Sequence, residues 1–149
     1  MSVVAKVYRG DLVDMTHLGH VAVVDTTGRL LYSAGDPKRV TYVRSSAKPI
    51  QALVALESGA VDHYALDERE LSLLCASHNG ERFHTDAVQS ILIKAGLDTS
   101  YLQCGTHPSL NPSVATTQGT LEMMHSNCSG KHSGMLVTTK FLEEAVDTY

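Results

Sequence analysis

The first forty positions carry short runs of β-branched and aromatic residues, the pattern of strands rather than helices. VVAKVYRG and HVAVVD are the clearest runs. Asp25-Thr26-Thr27-Gly28 separates HVAVVD from RLLYSAGD, and turn residues between two apolar runs predict a hairpin. Asp36-Pro37 marks a loop. From Arg44 the apolar period lengthens to that of a helix. Ile50, Leu53, Val54, Leu56 and Val61 predict one apolar face, with Pro49 tolerated in the first turn and Ser58-Gly59 ending the run.

Further along, Asp67-Glu68-Arg69-Glu70 has the form of a capping box ahead of LSLLCA, and that helix is expected to stop at Ser77-His78-Asn79-Gly80. Phe83 to Ala95 predicts another amphipathic helix, stopped by Gly96. Cys104 to Pro112 and Ser126 to Gly134 read as two loops rich in small residues, and the apolar positions Met135, Leu136, Phe141, Leu142 and Val146 predict a helix over 132–146. Repeats and low-complexity segments are absent. The opening strands have few partners within 149 residues, and an open sheet edge wants covering. The expected organisation is the first part of a single larger α/β domain spanning 1–149.

Composition narrows the function classes. The chain is long enough to bury a core, and 43% hydrophobic with 19% charged residues is the balance of a globular protein. A formal net charge of −4 gives no electrostatic footing for nucleic acid or an anionic membrane. No apolar run approaches the ~20 residues of a membrane span. MSVVAKVYRGDLVD has early acids and no long apolar region, so no secretory leader is expected. Three cysteines, Cys75, Cys104 and Cys128, are an odd set that predicts reduced thiols and a cytoplasmic protein.

The candidate chemistry gathers in the small-residue clusters. Ser45-Ser46-Ala47-Lys48 is an S-x-x-K at an expected helix start, and a three-residue spacing puts both side chains on one face. A serine hydroxyl needs a base to become a nucleophile, and a lysine serves once burial or a neighbouring positive charge, such as Arg44, favours its neutral amine. The competing reading is a serine helix cap with the lysine in solvent. Cys128-Ser129-Gly130-Lys131 is either a glycine turn before a helix or a reactive, metal-competent thiol beside Lys131 and His132. Ser77-His78 is either a helix stop or a polar pair facing a cleft. The phosphate-binding G-x-x-x-x-G-K-[ST], the dinucleotide G-x-G-x-x-G and the zinc H-E-x-x-H are all missing.

Together RSSAKPIQAL, CASHNGE, CGTHP and HSNCSGKHSGML, in that order and at those intervals, resemble the Rhizobium-type L-asparaginases. NCSGKHSGM is the most specific piece. The resemblance implies an α+β fold similar to serine β-lactamases and glutaminases, an antiparallel sheet flanked by helices. It implies hydrolysis of the L-asparagine side-chain amide to aspartate and ammonia by two serine–lysine pairs. Ser45 and Lys48 match the first pair, and Ser77 matches the serine of the second. Arg44 and His78 stand as substrate contacts. A zinc ion held by two cysteines and a lysine is implied, with Cys128 and Lys131 matching one cysteine and the lysine. Such enzymes are roughly twice as long and typically dimeric, so the lysine partner of Ser77 and the second zinc cysteine are expected outside these 149 residues.

Two other functions fit parts of the pattern. A penicillin-recognising acyltransferase shares S-x-x-K but needs S-D-N and K-T-G elements, and neither string is present. A half-domain that binds metal or amino acid, or docks on a partner without catalysis, would account for the short length.

Overall fold

The computed structural model describes residues 1–149. It divides into two units, Met1–Tyr42 and Val43–Tyr149.

The first unit consists of two antiparallel hairpins. β1 (Ser2–Arg9) pairs with β2 (Leu12–Gly19), and β3 (Val21–Val24) pairs with β4 (Leu30–Ala34). The two form separate two-stranded sheets. The turn predicted at Asp25–Gly28 is present, and one side chain organises it. The Asp25 carboxylate accepts the N–H groups of Thr27 and Arg29 (both 2.9 Å), the Thr27 hydroxyl (2.7 Å) and the Arg29 guanidinium (3.0 Å). No strand residue is buried.

The second unit is helical. A 3₁₀ turn at Arg44–Ala47 leads into α1 (Lys48–Glu57), followed by the single turn α2 (Ala60–His63), α3 (Glu68–Leu74), α4 (Arg82–Lys94), the single turn α5 (Pro112–Ala115) and α6 (Ser129–Phe141). The result is a mixed α/β chain with small antiparallel sheets and six helices. Helix α6 lies at the centre and packs against α1, α2, α3 and α4. Its Leu136 and Val137 meet Leu73 and Leu74 of α3 and Val88, Ile91 and Leu92 of α4 in the core. Each such side chain contributes about 1.5–3 kcal/mol by leaving water.

Helix α6 begins earlier than the glycines suggest. Gly130 and Gly134, which read as loop signals, lie inside it and allow α3 to approach. A Cβ on Gly130 would stand 2.5 Å from the Leu73 carbonyl oxygen, and one on Gly134 would stand 2.6 Å from Leu74 Cγ. The helix also ends earlier, at Phe141. Glu143 takes φ +59°, and the N–H groups of Glu144 and Glu143 close on the Thr139 and Lys140 carbonyls (3.0 and 3.1 Å), the Schellman pattern. Leu142 is therefore outside the helix, and Val146 sits in a separate 3₁₀ turn.

Helix α1 is rotated relative to expectation. Its buried residues are Lys48, Ala52 and Ala55, while Ile50, Leu53 and Val54 are exposed. Lys48 and its i+4 and i+7 neighbours share one face, so a Lys48 side chain directed inward carries the two alanines with it.

The capping box before α3 forms as expected, with Glu70 N–H on the Asp67 carboxylate and Asp67 N–H on the Glu70 carboxylate, both at 2.8 Å. Glu70 does more than cap. It is buried and also accepts from Ser90 Oγ and Lys94 Nζ, each at 2.6 Å. Burial raises its pKa, but the bonds from Lys94, Ser90 and Asp67 outweigh that and hold it below the ordinary carboxylate value.

Candidate active site

The N-terminus of α1 and two loops, 76–81 and 122–129, converge on one side chain. Lys48 is only 3% exposed. Its Nζ stands 2.8 Å from Ser77 Oγ, 2.9 Å from the Ala76 carbonyl oxygen and 3.2 Å from the Asn127 carbonyl oxygen. Burying an amine is costly unless its hydrogen bonds are made, and here they are made in either protonation state. An ammonium donates to all three oxygens. A neutral amine donates to the two carbonyls and turns its lone pair to the Ser77 hydroxyl, which then donates to it. The second arrangement is that of a general base on a nucleophile.

The partner of Lys48 is thus Ser77, 29 positions away, and not Ser45. Ser45 lies on the exposed 3₁₀ turn, and its hydroxyl makes no hydrogen bond within the protein. The one-face geometry expected of S-x-x-K fails because Ser45 precedes α1 in a tighter turn while Lys48 opens α1 and points inward. Arg44 takes φ +47°, an unusual conformation for a residue with a side chain, directly before Ser45. It is exposed and has no ion-pair partner.

His78 follows Ser77 and is closed off. Its ring is buried, 3% exposed, with Nδ1 accepting the Gly80 N–H at 3.1 Å and Nε2 at 2.8 Å from Ser129 Oγ. Its backbone N–H donates to the Asn127 carbonyl at 3.3 Å, the same oxygen that meets Lys48. Burial, then the charges of His84 and Lys48, lower its pKa to about 4. The His84 ring stacks on it at 5.0 Å. Neither ring nitrogen is free to meet a substrate, against the expectation drawn from the motif.

The supporting loops are tied to one another. His107 Nε2 accepts the Asn127 N–H at 2.9 Å, Ser109 Oγ donates to the Asn79 carbonyl, and the Gln118 side-chain carbonyl accepts the Ser109 N–H at 2.9 Å. Gly80 takes φ +67°, and a Cβ there would lie 2.7 Å from the His125 carbonyl oxygen. Asn127, Ser129, His107 and Ser109 were not singled out in the sequence as site residues. Their signal was the crowding of Ser, Asn and Gly around histidines, which marks the loops but not their partners.

Cys128 sits at the N-terminal boundary of α6 without a side-chain capping bond, and Lys131 follows within the first turn, each partly buried. No three His, Cys, Asp or Glu side chains stand together in a way that could hold a metal ion. Two donors, one of them an amine that must lose a proton, fall short of a four-coordinate zinc site. The residues present therefore do not by themselves fit the zinc that the motif implies. Beside them, His132 Nδ1 stands 2.9 Å from the Tyr149 hydroxyl, and burial followed by the Lys131 charge lowers its pKa to about 4.

A buried primary amine resting on a serine hydroxyl defines this as a serine–lysine site in geometry. The L-asparaginase II family profile matches residues 5–149, and the chain belongs to that family. A search among individually characterised proteins finds no match. The membership makes an asparaginase-like amidohydrolase acting on a small molecule the coarse description of this protein. No helix is long and apolar enough to cross a membrane.

Proposed function

We propose that this chain carries the serine–lysine machinery of an L-asparaginase, hydrolysing the side-chain amide of L-asparagine to L-aspartate and ammonia. The observation that carries the reading is the Lys48 amine, buried and 2.8 Å from the Ser77 hydroxyl. In this reading Ser77 Oγ attacks the amide carbon as its proton passes to Lys48. In the same reading the Ser77 N–H, which makes no hydrogen bond inside the protein, donates to the developing oxyanion. The C–N bond then breaks, Lys48 returns its proton to the leaving nitrogen, and ammonia departs. Water, activated by the same amine, cleaves the acyl ester and releases aspartate. The exposed Arg44 guanidinium pairs with the substrate's α-carboxylate.

A second reading keeps Ser45 as the nucleophile, because its hydroxyl is exposed and free of internal bonds. Ammonia release from L-asparagine separates the two. Ser77→Ala and Lys48→Met are expected to lower kcat/KM by about 10²- to 10⁴-fold. Full turnover in Ser77→Ala with loss in Ser45→Ala would transfer the nucleophile's role to Ser45. A folded protein that binds L-asparagine but releases no ammonia would refute hydrolysis.

The fold kinship to serine β-lactamases and glutaminases, a cytoplasmic location and a homodimer belong to the same proposal. Light scattering of the purified protein checks the last. Zinc enters it only with Cys128 and Lys131 as two of the ligands and the remainder supplied from elsewhere. Zinc binding abolished by Cys128→Ser checks that assignment.

A further inference from the structure

The hydrogen bonds around His78 allow one tautomer. The Gly80 N–H can only donate, so Nδ1 must be the unprotonated nitrogen. A neutral ring then carries its proton on Nε2 and donates it to Ser129 Oγ, 2.8 Å away. Ser129 Oγ donates onward to the Met124 carbonyl, also at 2.8 Å. Each proton in the chain has one acceptor. His78 and Ser129 are both buried, so water does not replace either bond. A proton on Nδ1 would face the Gly80 N–H, which excludes the other tautomer and the imidazolium without a change in the loop.

We propose that His78 is a positioning residue: as the Nε2–H tautomer it pins the Ser77–Gly80 loop to the first turn of α6 and so keeps the Ser77 hydroxyl on the Lys48 amine. The inference rests on the serine–lysine reading given above. The covalent path supports it. His78 is bonded to Ser77 on one side, clamped through its ring to Ser129, and held through its own N–H to Asn127, whose carbonyl also anchors Lys48. Loss of the ring bond removes the only side-chain tie between this loop and α6 made by His78, and a misplacement of about 1 Å at a reacting group costs on the order of 10²-fold in rate.

The test has three readouts. Nitrogen-15 NMR of the unmodified protein at neutral pH is expected to show His78 as the Nε2–H tautomer, and an Nδ1–H tautomer or an imidazolium there overturns the inference. In protein labelled at lysine side chains, Ser129→Ala is expected to move the Lys48 resonance in the same direction as Ser77→Ala. An unmoved Lys48 signal in Ser129→Ala also overturns it. Neither readout requires turnover, so they decide the inference even if the parent protein fails to hydrolyse asparagine and the hydrolase reading falls. Where turnover is present, Ser129→Ala is expected to lower kcat about 10- to 100-fold with KM within about twofold. Restored kcat in Ser129→Thr, which keeps the hydroxyl, would support the positioning role. A rise in KM alone would refute it.

Discussion

Replacing Lys48 by methionine should cut turnover by about 10²- to 10⁴-fold while leaving the fold almost as stable as before. The ammonium loses several kcal/mol of hydration when buried. Its three bonds, to Ser77, Ala76 and Asn127, return about 1.5–3 kcal/mol each, so the group contributes little net stability. Methionine keeps an unbranched apolar stem and removes the desolvation cost. Of the three oxygens left behind, the Asn127 carbonyl retains the His78 N–H and the exposed Ser77 hydroxyl turns to water. Only the Ala76 carbonyl loses its sole partner, a cost of about 1–3 kcal/mol. Urea unfolding followed by circular dichroism should therefore place Lys48→Met within about 2 kcal/mol of the parent, and a coupled ammonia assay should show turnover lowered by about 10²- to 10⁴-fold. A loss of more than about 4 kcal/mol would refute the cancellation and make Lys48 a structural pillar. Retained turnover would refute its role as base.

Alongside His132, acid should act in part through His78. Its pKa is about 4 in the fold against 6.5 ordinarily, so the unfolded chain takes up its proton first as pH falls. The resulting stability is complete above pH 6.5, declines below it, and reaches about 3 kcal/mol of loss once the folded value is passed. Urea midpoints at pH 7 and pH 4.5 should lie closer together in His78→Gln than in the parent, with the drop due to His132 remaining, and an identical drop in both proteins would count against this. Gly130→Ala should cost about 3 kcal/mol, because the new methyl group meets the Leu73 carbonyl at 2.5 Å. A thermal melt shifted by less than a degree would contradict that. Glu143→Gly should raise stability by about 1 kcal/mol by relieving φ +59° at the end of α6, read as a higher Tm, and a lower Tm would show that the Glu143 side chain has a compensating contact.

Local chemistry made several elements readable. Asp25, the Asp67–Glu70 box and Gly96 each act within a few residues of themselves, and each stands where its residue type predicts. Helix α4 matches the stretch read as Phe83–Ala95 to within a residue at either end. The rest depended on partners distant in sequence. The apolar stripe Ile50–Leu53–Val54 signals the helix correctly but not its buried face, which is that of Lys48, Ala52 and Ala55. Gly130 and Gly134 looked like flexibility and turned out to be contact surface, a distinction only α3 could supply. At the site Lys48, Ser77 and Ser45 are all named; spacing and the family resemblance pair Lys48 with Ser45, whereas the hydrogen bond it makes is to Ser77, 29 positions away. Proximity along the chain stood in for proximity in space. His78 was named too, though as a group facing substrate, since its burial by Ser129 is invisible until α6 is in place.

Two of the three oxygens that hold Lys48 belong to the main chain, those of Ala76 and Asn127. No side-chain replacement deletes a backbone carbonyl. A library covering every codon would register Ser77 and Lys48 and pass over Ala76 and Asn127, whose contribution survives most changes of residue. Drift at those two positions can leave the cradle intact, so sequence identity there is a poor guide to whether a related protein has kept the site. The geometry of the two loops is the heritable feature, and atomic-level surgery on it calls for ester substitution along the chain, which weakens the carbonyl just upstream of each exchanged amide, rather than for mutagenesis.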